Sequence, residues 1–129
     1  MGTARTYVWL DEVGLVVAYY SLVPHTVRRD ELPARVGHGP PEVVPSILLA
    51  RLALARSLHG QGSGSALLVD ALTMALGAIA QVGGRLIVVD AIDERAAAFY
   101  EHHGFTHTPV PGRHVMKASD AATTVGVPF

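Results

Sequence analysis

The sequence predicts an α/β fold, a mixed sheet with helices packed on it. Three observations predict it. Two runs dense in β-branched and aromatic residues open the chain, apolar residues recur at helical spacing between positions 63 and 82, and short β-branched runs lie before and after that stretch. Half of the 129 residues are apolar and 16% are charged, which argues against disorder and is enough for one core. The length is short for two cores, so residues 1–129 are expected to form a single domain.

The elements follow in order. Residues 5–23 carry Tyr7, Val8 and Trp9, then Val16, Val17, Tyr19 and Tyr20, on either side of a turn at 11–14, the pattern of a β-hairpin. Residues 24–45 hold prolines, Gly37, Gly39, His25 and His38, and read as a long irregular connection. The run 47–55 is apolar except for Arg51, as in a central strand buried on both faces. Turn chemistry at 57–62 precedes a helix over 63–82, with Leu67, Leu68, Ala71, Leu72, Ala75, Leu76 and Ile79 on one side. Gly83 and Gly84 stop it, and 85–89 is a further strand. Asp93 is placed to N-cap a short helix through His103 that Gly104 ends. Strands are expected at 105–108 and 114–118, and 119–129 is expected to be a flexible tail.

Composition excludes several functions. With no cysteine there is no disulfide, thiolate metal site or cysteine nucleophile, and a reducing cytoplasm is compatible. A net charge of −1 supplies no general attraction to nucleic acid or anionic membrane. The chain lacks an uncharged apolar stretch of about 18 residues and the basic-then-apolar start of a signal peptide, so a cytoplasmic location without a membrane partner is expected. His102 and His103 are adjacent on a helix and point in different directions, and no His-x-x-x-His pair exists, so no metal site is expected.

The segment His59-Gly60-Gln61-Gly62-Ser63-Gly64 lies between a strand and a long helix. The first N–H groups of a helix lack intrahelical partners and carry the positive end of its dipole, so an anion is the natural occupant. Glycines at 60, 62 and 64 let the backbone take positive φ and approach phosphate oxygens. The string by itself fits simple helix packing equally well. A Rossmann turn follows the first strand, with an acidic residue roughly 20 residues on; here at least two strands precede the turn, and Asp90 lies about 26 residues beyond Gly64. A Walker loop needs a lysine that the turn lacks.

Read with residues 49–54 and 65–68, the turn resembles the acetyl-CoA motif of the GNAT N-acetyltransferase superfamily, Gln/Arg-x-x-Gly-x-Gly/Ala, with His59 in the first position. Residues 95–105, containing Phe99-Tyr100 and Gly104-Phe105, resemble the family's A-x-x-F-Y-x-x-x-G-F signature. Residues 44–53 and Tyr19-Tyr20-Ser21-Leu22 are similar to the GNAT toxins of bacterial toxin–antitoxin pairs. The resemblance implies a mostly antiparallel sheet with a central splayed strand, and acetyl-CoA as cofactor. It implies main-chain contacts to acetyl-CoA from Leu52, Ala53 and Leu54, and pyrophosphate contacts from His59, Gly60, Gln61, Gly62, Ser63, Gly64 and Ser65. Tyr100 is implied as the acid that protonates the departing sulfur. Without the resemblance, Phe99 and Tyr100 read as core aromatics.

Asp90 and Arg95 flank the second helix as cofactor contacts or as a solvated ion pair. His25 and His38 are general-base candidates because imidazole titrates near neutrality. The acceptor stays open: the toxin resemblance implies aminoacyl-tRNA, while a small-molecule or peptide amine fits the same cofactor site. Only Arg28, Arg29, Arg35, Arg51, Arg56 and Arg113 are cations that cluster for tRNA. Chains of the toxin group begin with a strand and two helices before the equivalent of Thr6-Tyr7-Val8, so a shortened N-terminus is expected. The sheet face left bare invites a homodimer or a ribbon-helix-helix antitoxin. A non-catalytic CoA-binding module is the other reading.

Overall fold

The computed structural model describes residues 4–37 and 42–128. Six strands form one sheet in the order β1-β2-β3-β4-β6-β5. They are β1 (Arg5–Leu10), β2 (Val16–Arg28), β3 (Val43–Leu54), β4 (Leu86–Asp90), β5 (Thr106–His107) and β6 (Arg113–Lys117). Neighbours are antiparallel except β3 and β4, which run parallel and are joined by the long helix α2 (Ser63–Val82). A parallel pair needs such a crossover. The other helices are α1 (Ala34–Gly37), α3 (Glu94–His102) and α4 (Ala118–Val125).

Alternation along the strands separates two apolar layers. On one face Tyr20, Leu22, Ile47, Leu49, Ile87 and Val89 pack under α2 and α4. On the other, Val27, Val44, Val88 and Val115 meet Leu32 and Val36. α2 buries Leu67, Leu68, Ala71, Leu72, Ala75, Leu76 and Ile79 against the sheet. Its length and mean hydropathy of 1.6 match a membrane-crossing helix, but its apolar stripe is spent on the core. The Tyr20 hydroxyl donates to Asp70 on α2 at 2.7 Å. Burial, and then that carboxylate, raise the phenol's pKa well above its ordinary range.

The mixed, mostly antiparallel sheet with packed helices matches the expected fold class, and α2 has the expected bounds. Three segments differ. Residues 24–28 belong to β2 rather than to a loop. Among the described residues β1 pairs only as far as Leu22, and from residue 23 onward β2 pairs with β3. Pro24 is tolerated there because its nitrogen, which carries no hydrogen, has no ladder partner among the described residues. β3 starts at Val43, ahead of the expected 47, which confines the irregular connection to the span before it. His38 and Gly39 lie outside the described residues. Residues 118–125 form α4 instead of a flexible tail. Its Ala118, Ala121 and Ala122 are buried, small enough to bring the helix close to α2. The expected strand at 105–108 shortens to Thr106–His107.

Candidate active site

The site starts from a defect in β3. Tyr19 pairs with Ala53 and Ser21 with Ala50, so Tyr20 alone faces both Arg51 and Leu52. Two residues opposite one make a β-bulge, which bends the strand. Arg51 takes φ 60°, a left-handed conformation unusual for a residue with a Cβ. The pairing of β3 with β4 ends at Leu49 and Val89. Beyond that point β3 keeps only β2, and the backbone of 50–54 that faces away from β2 opens into a groove. Leu52, Ala53 and Leu54 line it, as expected of a splayed strand.

The turn after β3 closes the groove at one end. His59 Nε2 is 2.9 Å from the Leu54 carbonyl oxygen, which can only accept, so Nε2 donates. Gln61 Nε2 donates to the Ser57 carbonyl at 2.9 Å. These bonds brace the turn from its own strand end, so the His59 ring nitrogen facing Leu54 is committed to the chain. Gly60 and Gly62 have φ of 76° and 77°, and a Cβ at either would meet no atom within 4 Å. Positive φ explains why glycine stands there, and the open space is room for a ligand. Gly62 is the N-cap of α2, without a side-chain cap, and the first turn holds no acidic residue. The first N–H groups of a twenty-residue helix are thus free toward an anion.

Gly64 departs from the expected conformation. Its φ is not positive, and a Cβ there would lie 3.6 Å from the Phe99 ring, so its smallness serves contact between α2 and α3. The Ser65 hydroxyl is 3.0 Å from His103 Nε2, a second tie between these helices. Burial, and next the neighbouring His102, lower the pKa of His103 and favour its neutral ring.

α3 forms the opposite wall. Asp93 accepts from the Ala96 N–H at 2.8 Å and is the N-cap expected from sequence. Tyr100 is 8% exposed and packs edge-on against Phe99 and Phe105. Burial raises its pKa above the ordinary phenol value. Among the described residues no buried side-chain polar atom lacks a partner, and Tyr100 lines two adjoining grooves. One, of about 340 Å³, runs past Leu54, His59, Gly64 and Arg95. The other, of about 400 Å³, runs past Tyr19, Ala50, Arg51 and Asp90. Leu52, Ala53, Ile92 and Ala96 are shared with Tyr100 between them.

Of the other candidates, Asp90 and Arg95 each line one groove and His25 lines neither. Asp90 is bound by Arg113 through two 2.8 Å bonds, and that hydrogen bonding holds its carboxyl below the usual range. The ion-pair reading therefore fits Asp90, while Arg95 lines the first groove. His25 Nε2 lies 3.2 Å from Arg113 Nη1, a group that only donates, so this nitrogen is the acceptor. Burial and the guanidinium lower its pKa. A ring nitrogen already occupied by Arg113 is poorly placed as a general base. Among the described residues no group of three metal-ligating side chains occurs. The bulge at Arg51 and the exposed Ile92 were not expected from sequence, although Arg51 is the one polar residue of the 47–55 run.

Acetyl-CoA fits these residues: an unpaired strand edge suits its pantetheine amides, and the uncapped α2 terminus beside Gly60 and Gly62 suits its diphosphate. Comparison with known proteins agrees. An acetyltransferase (GNAT) domain model matches residues 3–107. A tRNA-acetylating toxin of Mycobacterium tuberculosis (strain ATCC 25618 / H37Rv) is 38% identical over 126 residues, 97% of this chain and 75% of the relative. A tyrosine-to-phenylalanine mutant of KacT and AtaT complexed with acetyl-methionyl-tRNAfMet each superpose with a TM-score of 0.84 at 28% identity, over 93% of this chain and 74% of theirs. AtaTR bound with acetyl-CoA superposes with a TM-score of 0.76 at 27% identity, over 93% of this chain and 71% of that one. This chain belongs to the GNAT acetyltransferase family and is an N-acetyltransferase that takes its acetyl group from acetyl-CoA.

Proposed function

We propose that this chain acetylates the free amine of aminoacyl-tRNA, as the toxin of a toxin–antitoxin pair. The observation that carries the reading is the junction at Tyr100, where two grooves share one buried phenol and one open strand edge. One groove takes the acetyl donor and the other the amine. The similarity to a tRNA-acetylating toxin and to AtaT with an acetylated tRNA supports the choice of acceptor.

Bound acetyl-CoA supplies an activated thioester and a thiol leaving group. The N–H groups of Gly62, Ser63, Gly64 and Ser65, with the backbone of His59, Gly60 and Gln61, hold the diphosphate. The N–H groups of Leu52 and Leu54, which alternate with that of Ala53 and face away from β2, hold the amides and polarise the acetyl carbonyl, where negative charge develops, while Ala53 lines the same groove. Tyr100 Oη delivers a proton to the departing sulfur. Burial suits it to this task, since it keeps the phenol protonated at neutral pH.

Among the cations considered for tRNA, Arg28 and Arg113 are already paired with Asp30 and Asp90. Arg51 and Arg56 are exposed about the open end of β3 and take the tRNA phosphates. A cytoplasmic site of action follows from the substrate. The exposed Val8, Leu10, Val16 and Tyr19 of the β1–β2 hairpin support a covering partner, a second copy or a ribbon-helix-helix antitoxin. The AtaT toxin bound to the C-terminus of its antitoxin AtaR superposes with a TM-score of 0.77.

The test is thiol release from acetyl-CoA with a panel of acceptors. Charged tRNA is expected to be acetylated, and free amino acids, short peptides and polyamines to give background rates. Turnover of a free amine with none on charged tRNA contradicts the tRNA reading.

A further inference from the structure

The residue after Tyr100 is tied to the sheet in a way that the cofactor and acceptor grooves do not require. Glu101 Oε2 lies 2.8 Å from His114 Nε2 on β6. His114 is 3% exposed, while the Glu101 side chain is 48% exposed. The other ring nitrogen, Nδ1, lies 3.1 Å from the Gly112 carbonyl oxygen. A carbonyl oxygen and an ionised carboxylate both accept, so the ring that satisfies both carries two N–H groups and a positive charge. The same Gly112 carbonyl accepts from the Ala91 N–H at 2.8 Å, just before α3. The loop entering α3 and the last turn of α3 are therefore fastened to one point of the sheet.

That point is set apart from the grooves. His114 and Glu101 line neither groove, yet Tyr100 lies between Glu101 and the helix body. The other charged or titratable groups around the ring are Asp90 at the end of β4, the adjacent Arg113, and His107, its cross-strand partner on β5. Asp90 is neutralised by Arg113, which leaves Glu101 as the carboxylate that answers the buried ring. Charge-assisted bonds are stronger and more directional than neutral ones.

We propose that Glu101 and His114 form an ion pair whose work is to position Tyr100, by fixing the rotation of α3 against β6. The proposal rests on Tyr100 being the proton donor. Glu101→Gln keeps the shape and removes the charge, on the exposed partner, so the chain is expected to fold. It should lower kcat between about threefold and thirtyfold, the scale of a small misplacement of a reacting group, and leave KM for acetyl-CoA unchanged. A residue acting through Tyr100 loses its effect when the phenol is gone.

The experiment is therefore a double-mutant cycle on the full chain with Glu101→Gln, Tyr100→Phe and both together, read as kcat on charged tRNA. In the Tyr100→Phe background Glu101→Gln should change kcat less than twofold. Undiminished loss in that background, or no loss in the wild-type background, overturns the proposal. A Tyr100→Phe variant as active as wild type would instead sink the assignment of Tyr100 itself. Nitrogen NMR of the histidine rings supplies the second readout. Two protonated nitrogens on His114 at neutral pH support the ion pair, and a bare nitrogen overturns it.

Discussion

At the scale of single residues, Gly62 and Gly64 look alike in sequence and differ in structure. Gly62 has φ 77° and open space where a Cβ would stand; Gly64 has an ordinary helical conformation beside the Phe99 ring. Gly62→Ala should therefore cost about 1–2 kcal/mol of stability from the left-handed backbone, and weaken acetyl-CoA binding as well. Gly64→Ala should be neutral or stabilise by up to about 1 kcal/mol through helix propensity, with binding retained. Thermal melts with titration calorimetry separate the two, and equal losses of binding would contradict the distinction. Tyr100 makes a pH prediction. Burial raises its pKa, so the protonated, donating form persists to higher pH than a free phenol with its value near 10. The alkaline fall of kcat due to Tyr100 is expected above that value, and Tyr100→Phe should abolish that limb.

At the scale of elements, α2, the Asp93 cap and the splay of β3 were legible in the sequence. Helical periodicity and turn residues are local signals, and the splay came with the motif at 49–54. The β2 extension through Pro24 and His25 was not legible, because proline argues against a strand unless its nitrogen needs no ladder partner, and only the pairing among the described residues reveals that. Nor was α4, whose short alanine face gains stability from packing on α2 and β6 rather than from its own propensity. Removing residues 118–129 should therefore lower the melting temperature by several degrees, at about 4–8 °C per kcal/mol lost for a small domain. An unchanged melt would show that α4 contributes nothing to the core. Arg51 belongs to this scale because its left-handed backbone forms the bulge. Arg51→Gly relieves about 1 kcal/mol of strain and should raise stability, whereas Arg51→Val should lower it.

For the whole molecule, one sheet defect, one uncapped helix and one buried phenol converge where β3 leaves β4. The cofactor side of that junction was readable because its glycines and its Phe99-Tyr100 pair sit in local motifs. The Asp90–Arg113–His25 chain and the Glu101–His114 pair were not, since each joins residues on separate elements. The central claim is that Tyr100 moves the proton at this junction. The most direct measurement is single-turnover acetylation of charged tRNA by Tyr100→Phe, with acetyl-CoA affinity measured on the same sample. A loss of roughly 10²-fold or more in rate with affinity unchanged is the expected result; a rate equal to wild type would contradict it.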